Sequence, residues 1–492
     1  MQIFPALENV KEIASTGRYR VLPVSCEILS DFTTPMEAMR VLKQVSTHCY
    51  MLESAASYET WGRYTFLGYA PILELTCQDG RIRVRRGGET TEETGAPGDA
   101  VRRILAAHKS PRLPFLPPFA GGLVGYFAYE YIRYAEPSLR LDAPDEEQFR
   151  DMDLMLFDKV IAFDHYRQKI VLIAHARADA LPESYRLAQE ELEAMAQLLR
   201  TGAPAAIPRP VLKTPPVPLF SREEYAAMVE KAKGYIREGD IFQVVLSNRL
   251  TADMEGSLFD VYRVLRASNP SPYMFYFSSD DLEAAGASPE TLVKVENGRV
   301  TTFPLAGTRP RGETDEADRA LEAALLADEK ELAEHNMLVD LGRNDIGKIA
   351  ALGSVRVDKY LSVERFSHVM HLGSTVSGRL EEGRDAVDAV GAVLPAGTLS
   401  GAPKIRACEI IRELENNKRG LYGGAIGYLD FTGNLDTCIA IRLAFRKNGR
   451  VFVRSGAGIV ADSVPDKEYQ ECLNKARAVL DALETAQGGL DA

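Results

Sequence analysis

The sequence has no window approaching the ~18 uninterrupted apolar residues that a membrane-spanning helix needs. Its first residues, Met1-Gln2-Ile3-Phe4-Pro5-Ala6-Leu7-Glu8, lack the basic start and apolar core of an export signal, so a cytoplasmic location is expected. Positive charge is in deficit: 58 Lys and Arg against 70 Asp and Glu give a formal charge of −12. That balance argues against nucleic acid or an anionic membrane as the main partner. An anionic ligand would need a local gathering of Arg, Lys, backbone amides or metal. The six cysteines (Cys26, Cys49, Cys77, Cys408, Cys438, Cys472) are far apart and form no C-x-x-C pair. They read as reduced, buried thiols and exclude a zinc cluster or disulfide framework. Histidine is scarce, with seven in 492 residues. There is no internal repeat. The glycine-rich Gly121-Gly122-Leu123-Val124-Gly125-Tyr126 has neither a following helix nor the GK[ST] of a phosphate loop.

What remains is an ordinary globular composition, 46% hydrophobic and 26% charged, long enough for two to four domains or one composite body. The clearest boundary is 201–219, TGAPAAIPRPVLKTPPVPL, whose six prolines predict a semi-rigid linker between residues 1–200 and 220–485. Before it, 161–163 and 169–173 predict strands joined by a polar turn, and 182–199 a helix. After it, helical spacing marks 223–237, 258–267, 385–394 and 404–415, with a strand over 242–250. Between 422 and 460 the pattern predicts an antiparallel meander. Its turns are Thr432-Gly433-Asn434 and Lys447-Asn448-Gly449-Arg450, the latter holding the Asn-Gly hairpin signal. Strands grouped with strands favour an α+β fold over a doubly wound sheet.

Two stretches could carry chemistry through carboxylates. Glu331 and Glu334 lie on one predicted helical stripe with Leu338 and Leu341, the stripe expected to face the interior. Glu468 and Glu471 form a second pair three residues apart, beside an apolar face of Tyr469, Leu473, Ala476 and Leu480, with Lys475 following. Inward carboxylates must be neutralised, and Mg²⁺, a hard oxygen-seeking dication, would serve between two such helices. The other reading of either pair alone is a solvated face.

Further signals are weaker singly. Read as one strand, 438–445 puts Ile439, Ile441, Leu443 and Phe445 on a core face, and Arg442 among Cys438, Ala440 and Ala444 on the other. That Arg could grip a carboxylate bidentately or pair with a structural Asp. Gly456-Ala457-Gly458 could present amides to an anion or simply turn. Thr398-Leu399-Ser400-Gly401-Ala402-Pro403-Lys404 opens a predicted helix, with Ser400 as the cap and free amides that suit a carboxylate. On an extended strand His368 and His371 face opposite ways, and spacing does not choose between them.

Long motifs then accumulate: GDIFQVVLS (239–247), NPSPYMFYF (269–277), GASPE (286–290), PLAGTRPRG (304–312), DEKELAEHNMLVDLGRND (328–345), HVMHL (368–372), PAGTLSGAPK (395–404), GLYGGAIGY (420–428), IRLA (441–444), GAGIVADS (456–463) and EYQECLNKA (468–476). With these the chain resembles anthranilate synthase component I, in the chorismate-binding enzyme family, over nearly its whole length. The resemblance implies antiparallel sheets packed as a sandwich-like core with flanking helices. It implies Glu334 and Glu471 as direct Mg²⁺ ligands, with Glu331 and Glu468 acting directly or through water. Arg442, Tyr422 and the amides of Gly456, Ala457 and Gly458 would take the enolpyruvyl end of chorismate, and Gly307 and Thr308 the ring. It selects His371 as the catalytic histidine, Thr398 as a ring-positioning hydroxyl, Glu290 as an acid or base, and Lys475 as a neutralising cation.

Within that family, isochorismate- and salicylate-forming enzymes carry lysine where this chain has Gln243, and aminodeoxychorismate synthases typically carry lysine at Ala306 and another residue at Thr398. The three residues present imply ammonia adding at C2, followed by loss of pyruvate. The alternatives are an aminodeoxychorismate synthase component I or a non-catalytic tryptophan-sensing paralogue. Met51-Leu52-Glu53-Ser54 is similar to the family's LLES tryptophan-binding motif in the 1–200 region, and Pro272, Tyr273 and Met274 complete that pocket in relatives; the resemblance implies feedback inhibition by tryptophan. No glutaminase nucleophile is recognisable in the chain. A separate glutamine amidotransferase subunit supplying ammonia, hence a hetero-oligomer, is therefore expected.

Overall fold

The computed structural model describes residues 1–55, 61–365 and 369–490. Two antiparallel sheets dominate, one of 14 strands and one of 12. Each is a composite of residues before and after the proline-rich linker. In the first sheet the amino-terminal strands end at Cys49–Glu53, which pairs with Tyr273–Ser278, Cys49 opposite Ser278 and Glu53 opposite Met274. In the second the seam is Gly122–Phe127 against Ala425–Asp430, with Gly125 opposite Gly427. The glycine-rich run at 121–125 has its reason here. A Cβ on Gly122 would sit 2.2 Å from the Leu429 carbonyl oxygen, and one on Gly125 2.0 Å from that of Asp153.

The sheets face each other across an aromatic core. Tyr50 and Phe275 come from the first sheet and Tyr126, Phe157 and Ile426 from the second, all buried. The Tyr50 and Phe157 rings meet edge-on at 4.7 Å, a favoured aromatic geometry. Helices Glu183–Thr201, Phe259–Ser268 and Pro465–Gly488 cover the outside of the first sheet, and Glu329–Gly347 and Ala386–Val393 the outside of the second. This is the α+β sandwich with flanking helices that the motifs implied. All six cysteines are free and buried.

Local signals account for many boundaries. Lys404–Glu415 is helical as predicted. Arg222–Arg237 starts at a Ser221–Glu224 capping box, and Asp385 caps Ala386–Val393, each satisfying amides that a helix start leaves unpaired. The linker is not wholly without strand: Val211–Leu212 and Val217–Pro218 pair with Gln243–Glu255.

Two predictions fail. The 422–460 meander is not one sheet. Ala425–Asp430 and Leu435–Ile439 belong to the second sheet, Leu443–Lys447 and Arg450–Ile459 to the first. The chain crosses between sheets at 440–442, where Arg442 has φ +53°, so the alternating faces read across 438–445 do not apply. Ser400 is not a cap either. Its hydroxyl donates to the Ala396 carbonyl at 2.8 Å, while Pro403 occupies the cap position with no side-chain bond.

Candidate functional site

The inter-sheet crossover opens a cavity of about 250 Å³. Its walls come from strands of both sheets, the Glu329–Gly347 helix and the Pro465–Gly488 helix. Of the predicted residues, Glu290, Gly307, Thr308, Glu334, His371, Thr398, Tyr422, Arg442, Gly456, Gly458 and Lys475 line it, as do Gln243 and Ala306. Residues far apart in sequence thus meet at one place. Because strand residues alternate, Ala457 turns from the cavity and packs among Val244, Leu246 and Ala407.

The strand Leu305–Pro310 carries a bulge between Ala306 and Thr308 as it pairs with Val369–Arg379. Gly307, at φ +63°, takes the turn that an L side chain disfavours. The bulge brings the Gly307 carbonyl to 3.0 Å from His371 Nδ1, with the Thr308 hydroxyl at 3.1 Å from the same nitrogen. A carbonyl only accepts, so Nδ1 carries the proton and Nε2 is the basic nitrogen of the neutral ring. Burial holds the ring's pKa below the ordinary histidine value. His368 lies outside the described residues. His335 is buried on the far side of its helix, Nε2 2.7 Å from the Ser374 hydroxyl, and serves packing.

Glu290 sits at the end of the GASPE motif, buried. Burial pushes its carboxyl up to about 8 against the opposing pull of the Thr398 hydroxyl and the Lys475 charge. Arg442 is held where the crossover needs a left-handed residue. Among the described residues nothing hydrogen-bonds or ion-pairs with its guanidinium, and burial lowers its pKa more than Glu471 and Tyr422 restore it. That unengaged fork inside a cavity is what an anionic ligand requires. Lys475 Nζ donates to the Gly456 carbonyl at 3.2 Å and lies 3.4 Å from Glu471. Gln243 Nε2 donates to Glu334 at 3.3 Å, while its Oε1 is buried without a protein partner among the described residues.

The carboxylates divide differently from expectation. Glu334 lines the cavity; Glu331, Glu468 and Glu471 do not. Glu331 packs against Gly307, where an added Cβ would lie 3.2 Å from its oxygen. Burial, then Glu334 beside it, raises its pKa, with Arg309 3.7 Å away. Among the described residues no three Asp, Glu, His or Cys side chains converge as a closed ligand set. The donor chemistry, Glu331 and Glu334 adjacent on one helix with the Glu331 carboxyl raised by burial and by its neighbour, fits a hard dication. The two helices that carry the pairs border one cavity, through Glu334 and Lys475.

A second cavity, about 310 Å³, lies between the sheets at the seam of the first. Ser54, Pro272, Tyr273 and Met274 all line it. Tyr273 donates to Asp436 at 2.8 Å and accepts from the Thr291 hydroxyl at 3.0 Å.

The motif reading missed Arg454, Ser455 and Ile441 as lining residues, and it missed the buried charges behind Tyr422. Only Glu415 and Arg419, four apart, offered a signal, and that spacing is commonplace on helix surfaces.

A two-sheet sandwich with this cavity defines a class of enzyme. Residues 13–481 match the family described as chorismate binding enzyme, and the chain belongs to that family; it is an enzyme acting on chorismate. It is 44% identical to anthranilate synthase component 1 of Acetivibrio thermocellus, covering 98% of this chain and 99% of that protein. It is 45% identical to the same component of Pseudomonas aeruginosa, covering 98% and 99%. The crystal structure of anthranilate synthase component I from Streptococcus pneumoniae superposes with a TM-score of 0.76 at 41% identity, over 92% of this chain and 98% of that one. Among the described residues no helix is long and apolar enough to cross a membrane.

Proposed function

We propose that the chain is the large subunit of a cytoplasmic, Mg²⁺-dependent anthranilate synthase. Chorismate and ammonia become anthranilate, pyruvate and water. Ammonia bonds to C2 as the 4-hydroxyl leaves, and pyruvate is then eliminated as the ring gains aromaticity. The observation that carries this reading is the meeting of Gln243, Ala306 and Thr398 around one cavity beside an unengaged Arg442.

Departure of the 4-hydroxyl as water needs a proton, and Glu290 holds one at neutral pH. Thr398, bonded to Glu290, orients that carboxyl and the ring. His371, neutral with a basic Nε2, accepts the proton lost as the ring aromatises. Arg442, Lys475, Tyr422 and the Gly456–Gly458 edge hold the enolpyruvyl carboxylate. Glycine at 458 keeps that edge close, since a Cβ there would meet Gln243 Nε2 at 2.4 Å. Mg²⁺, held by Glu334 and Glu471 with Glu331 and Glu468 supporting, would supply charge stabilisation and grip the ring carboxylate.

Ammonia is supplied by a separate glutamine amidotransferase subunit in a hetero-oligomer, as the name "component 1" of the relatives supports. L-Tryptophan binds the second cavity, at Ser54, Pro272, Tyr273 and Met274, as a feedback inhibitor. The test is anthranilate fluorescence from chorismate and ammonium, with and without Mg²⁺, then with glutamine plus the cognate glutaminase. Metal-independent turnover, or none on glutamine, would count against the proposal.

A further inference from the structure

Behind the cavity wall lies a cluster of charge that the proposed mechanism does not use. Arg419 is 1% exposed and ranks among the bulkiest fully buried side chains of the described residues. Its Nε and Nη2 donate to the two Glu415 oxygens at 3.0 and 2.6 Å. Nη1 donates to the Leu399 carbonyl at 2.6 Å, and Nη2 to that of Val245 at 2.7 Å. The guanidinium lies 4.5 Å from the Tyr129 ring centroid and 5.9 Å from that of Tyr422. Val245, Leu399 and Tyr422 all line the catalytic cavity, and they come from three separate segments. One residue outside the cavity therefore touches three of its walls.

Glu415 is fixed in turn. It accepts from the Ser247 amide at 2.7 Å, the Ser247 hydroxyl at 2.9 Å and Arg454 at 2.8 Å. Burial raises its pKa, but the two guanidiniums and these bonds outweigh burial and leave it below the ordinary value. From the other side, Glu130 accepts from the Arg419 and Gly420 amides at 2.7 and 3.1 Å. A buried ion pair contributes little net stability compared with apolar residues of similar size. What this one provides is direction: a planar fork whose bonds point at fixed angles.

We propose that Arg419, clamped by Glu415, is a positioning residue for the chorismate reaction. It sets the Thr398–Leu399 turn, the Val245 strand and Tyr422 relative to one another. It thereby sets the spacing between the hydroxyl that orients the ring and the wall that holds the enolpyruvyl group. The proposal rests on the function given above. A lysine would keep the charge but lacks the planar fork that joins two carbonyls and a carboxylate.

The test compares full-length Arg419→Lys and Glu415→Gln with the parent by chorismate titration calorimetry, kcat and KM with ammonium, and the pH dependence of kcat. Parent turnover is measured first, whichever aminated product forms, so an error in the product assignment shows itself separately. Both variants should bind chorismate within about threefold of the parent, because Arg442 and Lys475 are untouched. The kcat should fall about 30-fold or more through misplacement, with the alkaline limb displaced as Thr398 leaves Glu290. A purely structural role would lower the melting temperature and the active fraction while leaving kcat per folded molecule and the limb unchanged. A kcat per folded molecule within about threefold of the parent, with an unmoved limb, overturns the proposal. Should Arg419→Lys fail to fold, Glu415→Gln, which removes a charge but no volume, decides by the same criteria.

Discussion

The Thr398 hydroxyl stands 3.2 and 3.3 Å from the two carboxylate oxygens of Glu290, straddling them. A buried carboxyl on the cavity wall is thereby oriented and partly relieved of its burial. Lys475 adds the second, weaker correction. Without these neighbours the proton would be held still more tightly.

This relationship predicts a pH profile. Glu290 is protonated below about 8 and ionised above it, so a step that needs its proton slows as pH rises through that value. Thr398→Val removes an influence that lowers the pKa, so the alkaline limb should move to higher pH; Lys475→Met should move it the same way. Glu290→Gln should abolish the limb and cut kcat by about 100-fold or more. A profile of kcat against pH for the three variants checks this. An unchanged limb in Glu290→Gln would assign it to another group. By the same linkage, the stability conferred by the bound proton is complete at acid pH and lost as pH rises through about 8.

Chelation should silence the enzyme reversibly. EDTA is expected to abolish turnover, and Mg²⁺ to restore it. Glu334→Gln and Glu471→Gln should each reduce activity by on the order of 100-fold at limiting Mg²⁺. Titration calorimetry of Mg²⁺ in the presence of chorismate reads the loss directly, and parent-like binding in both variants would remove these residues from the ligand set.

Gly458→Ala tests the close wall of the cavity. Its Cβ would lie 2.4 Å from Gln243 Nε2, forcing that side chain away from Glu334. Turnover should fall about tenfold or more while the melting temperature changes little, because the obstacle is the far end of a flexible side chain. A variant with parent turnover would show that Gln243 can move without consequence.

Much of the fold was legible because local chemistry decides it. The helices read over 223–237 and 385–394, the Asn448-Gly449 turn and the proline-rich linker each have a short-range cause. The pairing of Cys49–Glu53 with Tyr273–Ser278 spans more than two hundred residues, and no local pattern encodes it. The 438–445 stretch misled because a continuous apolar run fits one buried strand as well as two strands in facing sheets. Only the left-handed Arg442 separates them, and residue type gave no warning of it. The cavity residues were legible through motifs. The Glu415–Arg419 clamp was not, since an i,i+4 pair reads the same whether wet or buried.

Tryptophan should stabilise the protein as well as inhibit it. A ligand confined to the folded state adds about 2.7 kcal/mol at 100 times its Kd, so the melting temperature should rise with tryptophan concentration. Ser54→Phe, which fills the second cavity, should remove both the shift and the inhibition while leaving the uninhibited rate near that of the parent. Inhibition that persists unchanged would place the tryptophan site elsewhere.

The pyruvate released per chorismate consumed, with ammonium as the nitrogen donor, separates the possible products. One pyruvate and one anthranilate are expected for each chorismate, as the chemistry read from Gln243, Ala306 and Thr398 requires. Consumption of chorismate to a 4-amino product without pyruvate would contradict it.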